Sequence, residues 1–141
     1  MSGLGRLVRS GLAALCAVLL AGCIARYDFE IANEGSRDIQ NAVLASADKT
    51  VAIGDIPRGA ETSAVYSHFG EHDTDVYLEF DRGGRRESFF VGNFTAYLFW
   101  VEFHDAPIMV RDGNAVWLSD GKDWVLPRRR DLPNPDGSPR R

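Results

Sequence analysis

Three turn dipeptides punctuate the second half of this chain: Gly83-Gly84, Asp112-Gly113 and Asp120-Gly121. Each stands between two short runs rich in apolar residues. Glycine supplies the positive φ that two-residue hairpin turns need, and so short a link makes the flanking strands pair antiparallel. Alternation of apolar and polar residues then makes one face of each hairpin greasy, and that face has to be covered. The sequence therefore points to stacked antiparallel sheets. No stretch between Arg26 and Pro127 shows the 3.6-residue period of an amphipathic helix.

Tyr27, Phe29 and Ile31 alternate with Asp28, Glu30 and Ala32, and Ile39–Ala45 reads as a second strand. Val51–Ile53 and Thr62–Tyr66 flank the turn Ile56-Pro57-Arg58-Gly59, with Pro57 placed to preset φ. A turn at Gly83-Gly84 sets Asp81 opposite Arg86, Glu79 opposite Ser88, Leu78 opposite Phe89, Tyr77 opposite Phe90 and Val76 opposite Val91. Acid meets base and apolar meets apolar, the matching that stabilises paired strands. Phe80 opposite Glu87 is the one mismatch. Tyr97–His104 is the most hydrophobic run, apolar on both faces, and reads as a central strand. The last two turns join Pro107–Arg111, Asn114–Leu118 and Lys122–Leu126, setting Ile108 opposite Trp117 and Trp117 opposite Trp124.

About seven to nine short strands at this spacing predict an all-β fold, a sandwich or a barrel. The run Phe29-x-Ile31-x-Asn33, then Ser36, Ile39 and Val43, then Ile56-Pro57-x-Gly59 and Val65, resembles bacterial immunoglobulin-like modules of the FxLYD kind. That resemblance implies an antiparallel immunoglobulin-like β-sandwich.

The amino terminus carries a different signal. Met1–Gly22 holds Arg6 and Arg9, no acid, and then the apolar run Gly11–Leu20. Charge followed by a short apolar segment and small residues is the pattern of a secretory signal. The apolar stretch, about 14 residues, falls short of the roughly 20 that span a bilayer as a helix. Leu20-Ala21-Gly22-Cys23 resembles the lipobox of bacterial lipoproteins. The resemblance implies cleavage between Gly22 and Cys23 and lipid on Cys23, with diacylation of the thiol and often acylation of the new amine. It also implies an outer-membrane address facing the periplasm, because Ile24 is not the Asp that retains such proteins in the inner membrane. Two or more acyl chains hold a protein stably, where one holds only marginally. Cys16 would leave with the signal, so a lipidated Cys23 leaves no thiol for a disulfide or a zinc-thiolate site.

The layout expected is a signal peptide at 1–22, a lipidated anchor and spacer at 23–25, a sandwich at 26–126 and a disordered basic tail at 127–141. From Arg26 to Pro127 nine basic and eighteen acidic side chains leave a formal charge of −9. From Arg128 to Arg141 five arginines and two aspartates leave +3. An acidic body argues against nucleic acid as a partner. The proline-rich tail has almost no apolar residue with which to order itself. It is placed to reach an anionic surface or to fold back on the acidic body.

Candidate chemistry is sparse. His68, Glu71, His72, Asp73 and Asp75 share one polar stretch, and imidazole with carboxylate suits zinc or copper. A third ligand would come from those acids or from His104. The spacing His68-x3-His72 puts both rings on one side only in a helix, which Gly70 disfavours. Asp112, Asp120 and Asp123 lack the alternating acids and later Glu of a calcium loop, and turn chemistry explains them. Ser36, Ser46, Ser63, Ser67, Ser88 and Ser119 lie in no Gly-x-Ser-x-Gly elbow. Arg82, Arg85 and Arg86 cluster at a hairpin tip, where they would grip a phosphate or carboxylate, or simply protect the edge. Asn93-Phe94-Thr95 matches the glycosylation acceptor pattern, which carries no meaning in most bacteria. Phe89, Phe90, Phe94, Tyr97, Phe99 and Trp100 read as core, with some left over for a contact patch.

The expectation is a membrane-anchored, periplasm-facing lipoprotein acting as a non-enzymatic binding or accessory module of the cell envelope. The membrane would be met through the lipid, with an envelope protein as partner, no catalytic residue and no cofactor beyond the lipid on Cys23. No small-molecule substrate is identified. The alternative is a periplasmic zinc- or copper-binding lipoprotein using His68 and His72.

Overall fold

The computed structural model describes residues 24–69, 73–94, 105–119 and 121–133. Among these are nine strands: β1 (Ile24–Asn33), β2 (Ile39–Ala45), β3 (Thr50–Ile56), β4 (Glu61–Phe69), β5 (Thr74–Arg82), β6 (Arg85–Phe94), β7 (Asp105–Arg111), β8 (Asn114–Ser119) and β9 (Lys122–Val125). They form two sheets, ordered β4-β1-β7-β8-β9 and β3-β2-β5-β6. The inner faces of the two sheets share one core, so the fold is the all-β sandwich expected. Tyr97–His104, expected as a central strand, lies outside the described residues.

One pairing departs from the antiparallel expectation. β1 runs parallel to β7, from Asp28↔Asp105 to Asn33↔Val110. It also runs antiparallel to β4 over nine positions, from Ile24↔Phe69 to Ala32↔Glu61. The first strand is therefore inside its sheet. A parallel neighbour needs a long crossover, and strands β2 to β6 provide it. The expected spacer is corrected as well: β1 begins at Ile24, because β4 is long enough to pair with it there.

The core follows the alternation. Tyr27, Phe29 and Ile31 of β1 face Val76, Leu78 and Phe80 of β5 and Phe89 and Val91 of β6 across the interior, all buried. Phe94 sits edge-on to Tyr27 and Phe29, with ring centroids 4.5 and 5.8 Å apart. Burial of this kind is worth about 3–5 kcal/mol for each phenylalanine, measured as the cost of cutting it to Ala.

The hairpin register holds at Asp81↔Arg86, Glu79↔Ser88, Leu78↔Phe89 and Tyr77↔Phe90. Gly83 and Gly84 make the turn with φ of 58° and 76°. Val76, expected opposite Val91, instead pairs with Gly92, because a bulge inserts Val91 into β6. A Cβ at Gly92 would come within 3.2 Å of the Phe94 ring, tighter than an ordinary contact. Ile108↔Trp117 and Trp117↔Trp124 are both paired as expected. Trp117 packs on the core, whereas Trp124, on the outermost strand β9, is 60% exposed. The turn after β3 sits one residue later than expected, since Ala60 N donates to Pro57 O at 3.0 Å.

That turn is held from outside by Asn33, which is 1% exposed. Its Nδ2 donates to Ile56 O and Arg37 O, both at 2.9 Å, and its Oδ1 accepts from Gly35 N at 3.1 Å. Its backbone N donates to Ala60 O and its O accepts from Gly59 N. One amide thus satisfies the end of β1, the β1–β2 connection and the end of β3. Asn33→Ala strands two carbonyls and an N–H, and is expected to lower unfolding free energy in urea by about 3 kcal/mol. Asn33→Asp, which sets a carboxylate against those carbonyls, should lose more at neutral pH and recover part of the loss in acid. Unchanged stability in both variants would show that the amide is not the staple.

Candidate functional site

The hairpin-tip arginines do not act as one cluster. Arg82 and Arg85 face each other in register beside the glycine turn. Arg82 turns inward, with its side chain 5% exposed. Its Nε and Nη2 donate to the two Glu87 carboxylate oxygens at 2.9 and 3.2 Å, and its Nη1 donates to Arg111 O at 2.8 Å. This explains the mismatch of Phe80 with Glu87. Glu87 is neutralised from the diagonal by Arg82, whose guanidinium lies 5.3 Å from the Phe80 ring centroid. The contact to Arg111 O also ties the two sheets together at this end. Arg85 is exposed. Arg86 pairs with Asp81 at 3.4 Å and Glu79 at 3.5 Å, and donates to Asn41 O.

The start of the basic tail joins this face. An unstructured tail from Pro127 is corrected for residues 127–133. Leu126 is buried in the core, Phe90 N donates to Pro127 O at 2.9 Å, and Arg128 bridges to Phe89 of β6. A short 3-10 turn follows at Arg129–Asp131. The segment has only Leu132 as an apolar side chain besides its prolines, but Leu126 anchors it and the acidic sheet supplies its partners. Arg128 Nη2 donates to Gly113 O at 2.6 Å and lies 3.7 Å from Glu87. Its guanidinium carbon is 5.4 Å from the Phe89 ring centroid. Arg129 Nη1 donates to Glu79 Oε1 at 3.0 Å, and its guanidinium lies 4.5 Å above the Tyr77 ring. Residues 134–141 lie outside the described residues.

Arg129 stands between two clefts. One, about 450 Å³, lies between the β2–β3 turn and the start of β5, with Asp48, Asp73, Asp75, Tyr77 and Asn93 in its walls. Asn93 Nδ2 donates to Asp75 Oδ1 at 2.9 Å, so the glycosylation-like motif places a side chain in a polar wall. The other cleft, about 320 Å³, is lined by Arg86, Glu87, Ser88, Arg128, Arg129 and Arg130. Ser88 Oγ donates to Glu79 Oε1 at 3.1 Å and Ser46 Oγ to Lys49 O at 3.2 Å.

Of the proposed metal ligands, Asp73 and Asp75 line the first cleft. Glu71, His72, His104 and the side chain of His68 lie outside the described residues, as do Gly22 and Cys23. Among the described residues no three His, Cys, Asp or Glu side chains group as a metal site.

No family model matches the chain, and no curated protein matches it. Among solved structures it is similar to a protein from Eubacterium rectale determined by NMR, at 14% identity and a TM-score of 0.39. The likeness covers 72% of this chain and 88% of that one. It is too slight to bear on function.

The aspartates read as turn residues do more than shape turns. Asp112 Oδ1 accepts from Ser36 N at 3.0 Å, joining the β7–β8 turn to the β1–β2 connection. That backbone N–H, then the Ser36 side chain, hold its carboxyl below the ordinary range, and Arg82 and Arg37 add a smaller pull. Asp123 takes Arg111 Nη1 at 3.1 Å while Glu34 takes Arg111 Nε at 2.8 Å. The two acids, Glu34 before Asp123, raise the Arg111 pKa above its ordinary value. Asp120 lies outside the described residues.

Sequence reasoning missed Glu79 and Glu87 as acceptors for the tail. The available signal was an acid on each face of β5–β6, opposite a segment of three consecutive arginines. Arg82→Leu should cost about 3 kcal/mol in thermal or urea unfolding, because it leaves Glu87 half-buried without its partner. Arg82→Leu with Glu87→Leu should recover most of that loss, and an unrecovered double variant would locate the effect elsewhere. Because the folded-state pKa of Asp112 is depressed, its contribution is present above the unfolded-state value and lost as pH falls through the folded one. Asp112→Asn should therefore flatten the acid limb of the stability curve while leaving the curve above neutral pH parallel to that of the parent.

Proposed function

We propose that this chain is a lipid-anchored lipoprotein of the bacterial cell envelope, facing the periplasm and acting as a binding or accessory module without chemistry of its own. The observation that carries the reading is the junction at Cys23. A basic, apolar, small-residue leader ends in Leu20-Ala21-Gly22-Cys23, and β1 begins at the very next residue, Ile24. With lipid on Cys23 and no spacer behind it, the sandwich is held against the membrane surface. The absence of Asp at position 24 favours the outer membrane.

The binding role draws its support from the surface of β5 and β6. The arginines and acids there are engaged with one another in shallow clefts, an arrangement suited to recognising a charged surface rather than enclosing a small substrate. The membrane is the first partner through the lipid, and an envelope protein is the second.

Expression of the full chain in a Gram-negative host, with radiolabelled palmitate in the medium, tests the anchor. The parent is expected to carry label and to sediment with outer-membrane vesicles. Cys23→Ser is expected to carry none, to retain its leader and to leave that fraction. A labelled Cys23→Ser, or an unlabelled parent, overturns the reading.

A further inference from the structure

Two aromatic–carboxylate pairs at the β6 edge of the sheet each hold a guanidinium, Tyr77 with Glu79 on the outward face and Phe89 with Glu87 on the inward face. Tyr77 and Glu79 hold Arg129, with the cation 4.5 Å from the ring centroid and 3.0 Å from the carboxylate oxygen. Phe89 and Glu87 hold Arg128 at 5.4 and 3.7 Å. Both arginines come from one short segment, two successive residues in extended and 3-10 backbone. A planar cation that stacks on a ring while donating to an acid is recognised in the way arginine differs from lysine.

The hold is shallow. The Arg129 side chain remains 51% exposed over the Tyr77 ring, whose neighbour Phe90 has its ring centroid 5.6 Å away. Exposed ion pairs and cation–π contacts are individually weak. Leu126 is buried and fixes where the segment leaves the core, but no residue of the 3-10 turn Arg129–Asp131 is buried. The segment is thus tethered at its root and exchangeable along its length. The face beneath belongs to a body of formal charge −9, which favours a basic replacement.

We propose that this edge of β6, with the outward Tyr77 and Glu79 as its main arginine-binding pair, is a docking site for an arginine-bearing peptide segment of a partner protein, and that Pro127–Arg129 occupies it as an internal stand-in. The inference concerns the sheet surface alone and does not depend on lipid at Cys23. Binding of the partner lifts the segment, and the same arginines limit binding by peptides of weaker fit.

The test uses the full chain in mild detergent and a fluorescent peptide copying Pro127–Pro133, followed by anisotropy at low and physiological salt. Arg128→Ala with Arg129→Ala opens the site and is expected to bind the peptide at least about tenfold more tightly than the parent, whose own segment competes. Arg129→Ala alone opens the Tyr77 pair without touching the segment's contact with Gly113, and serves if the double variant melts early. Adding Glu79→Gln or Tyr77→Leu to the opened chain is expected to weaken binding by about tenfold. A copy of the peptide with lysine for each arginine is expected to bind more weakly. No binding to a folded, opened chain overturns the proposal, and so does equal binding of the lysine peptide. Binding unaffected by Glu79→Gln and Tyr77→Leu does the same.

Discussion

A single buried amide holds together the end of the sandwich where its loops converge. Asn33 finishes β1, yet its side chain is used by the backbone of two other segments, at Arg37 and Ile56. Buried carbonyls must find donors, and loops seldom bring enough of their own. The neighbouring contacts repeat the device with other groups: Asp38 takes Arg58 N at 2.8 Å, and Asp112 takes Ser36 N. With that end closed, β1 can lie between β4 and β7, and β3 can pass from one sheet into β4 of the other. The remaining strands then stack by alternation.

What was legible in the sequence was legible because its cause is local. Gly83-Gly84 sets the register of its hairpin without help from the rest of the chain, so the pairs from Asp81↔Arg86 to Tyr77↔Phe90 follow from counting. Ile108, Trp117 and Trp124 line up for the same reason. The features that escaped are those in which a residue answers to a distant one. Nothing in the sequence around Asn33 shows that the carbonyl of residue 56 needs a donor. Glu87 looked misplaced opposite Phe80 because its true partner is on the diagonal. The bulge at Val91 interrupts the register counted from the turn, and the bend at Asn41, with φ of 51°, is held by Asp55 and Asp81 in neighbouring strands. The candidate surface was half legible. Its arginines stood out, but the acids that receive them are scattered through β5 and β6.

The opposite charges of body and tail meet on the structure rather than remaining separate. Leu126 enters the core between β9 and β6, and the residues after it cross from one sheet to the other. Arg128 ends up touching a carbonyl of the β7–β8 turn and an acid and a ring of β6. The seam along that side is therefore closed by the last described residues of the chain. The acids are compensated on both sides of the hairpin, since Glu79 faces outward beside Ser88 and Glu87 faces inward beside Phe80. Arg82, Arg86, Arg128 and Arg129 provide that compensation from three places in the sequence.

The parallel pairing of β1 with β7 gives the fold a mechanical character. A pull entering the sandwich at Ile24 runs along β1, which is bonded on both flanks, to β4 over nine positions and to β7 over six. From Ile24 to Tyr27 the β4 ladder alone takes the load, and from Asp28 to Ala32 the two ladders share it. A strand at the sheet's edge would have offered one ladder only. The chain enters its domain by a strand that is gripped on one side at first and on both sides over its second half.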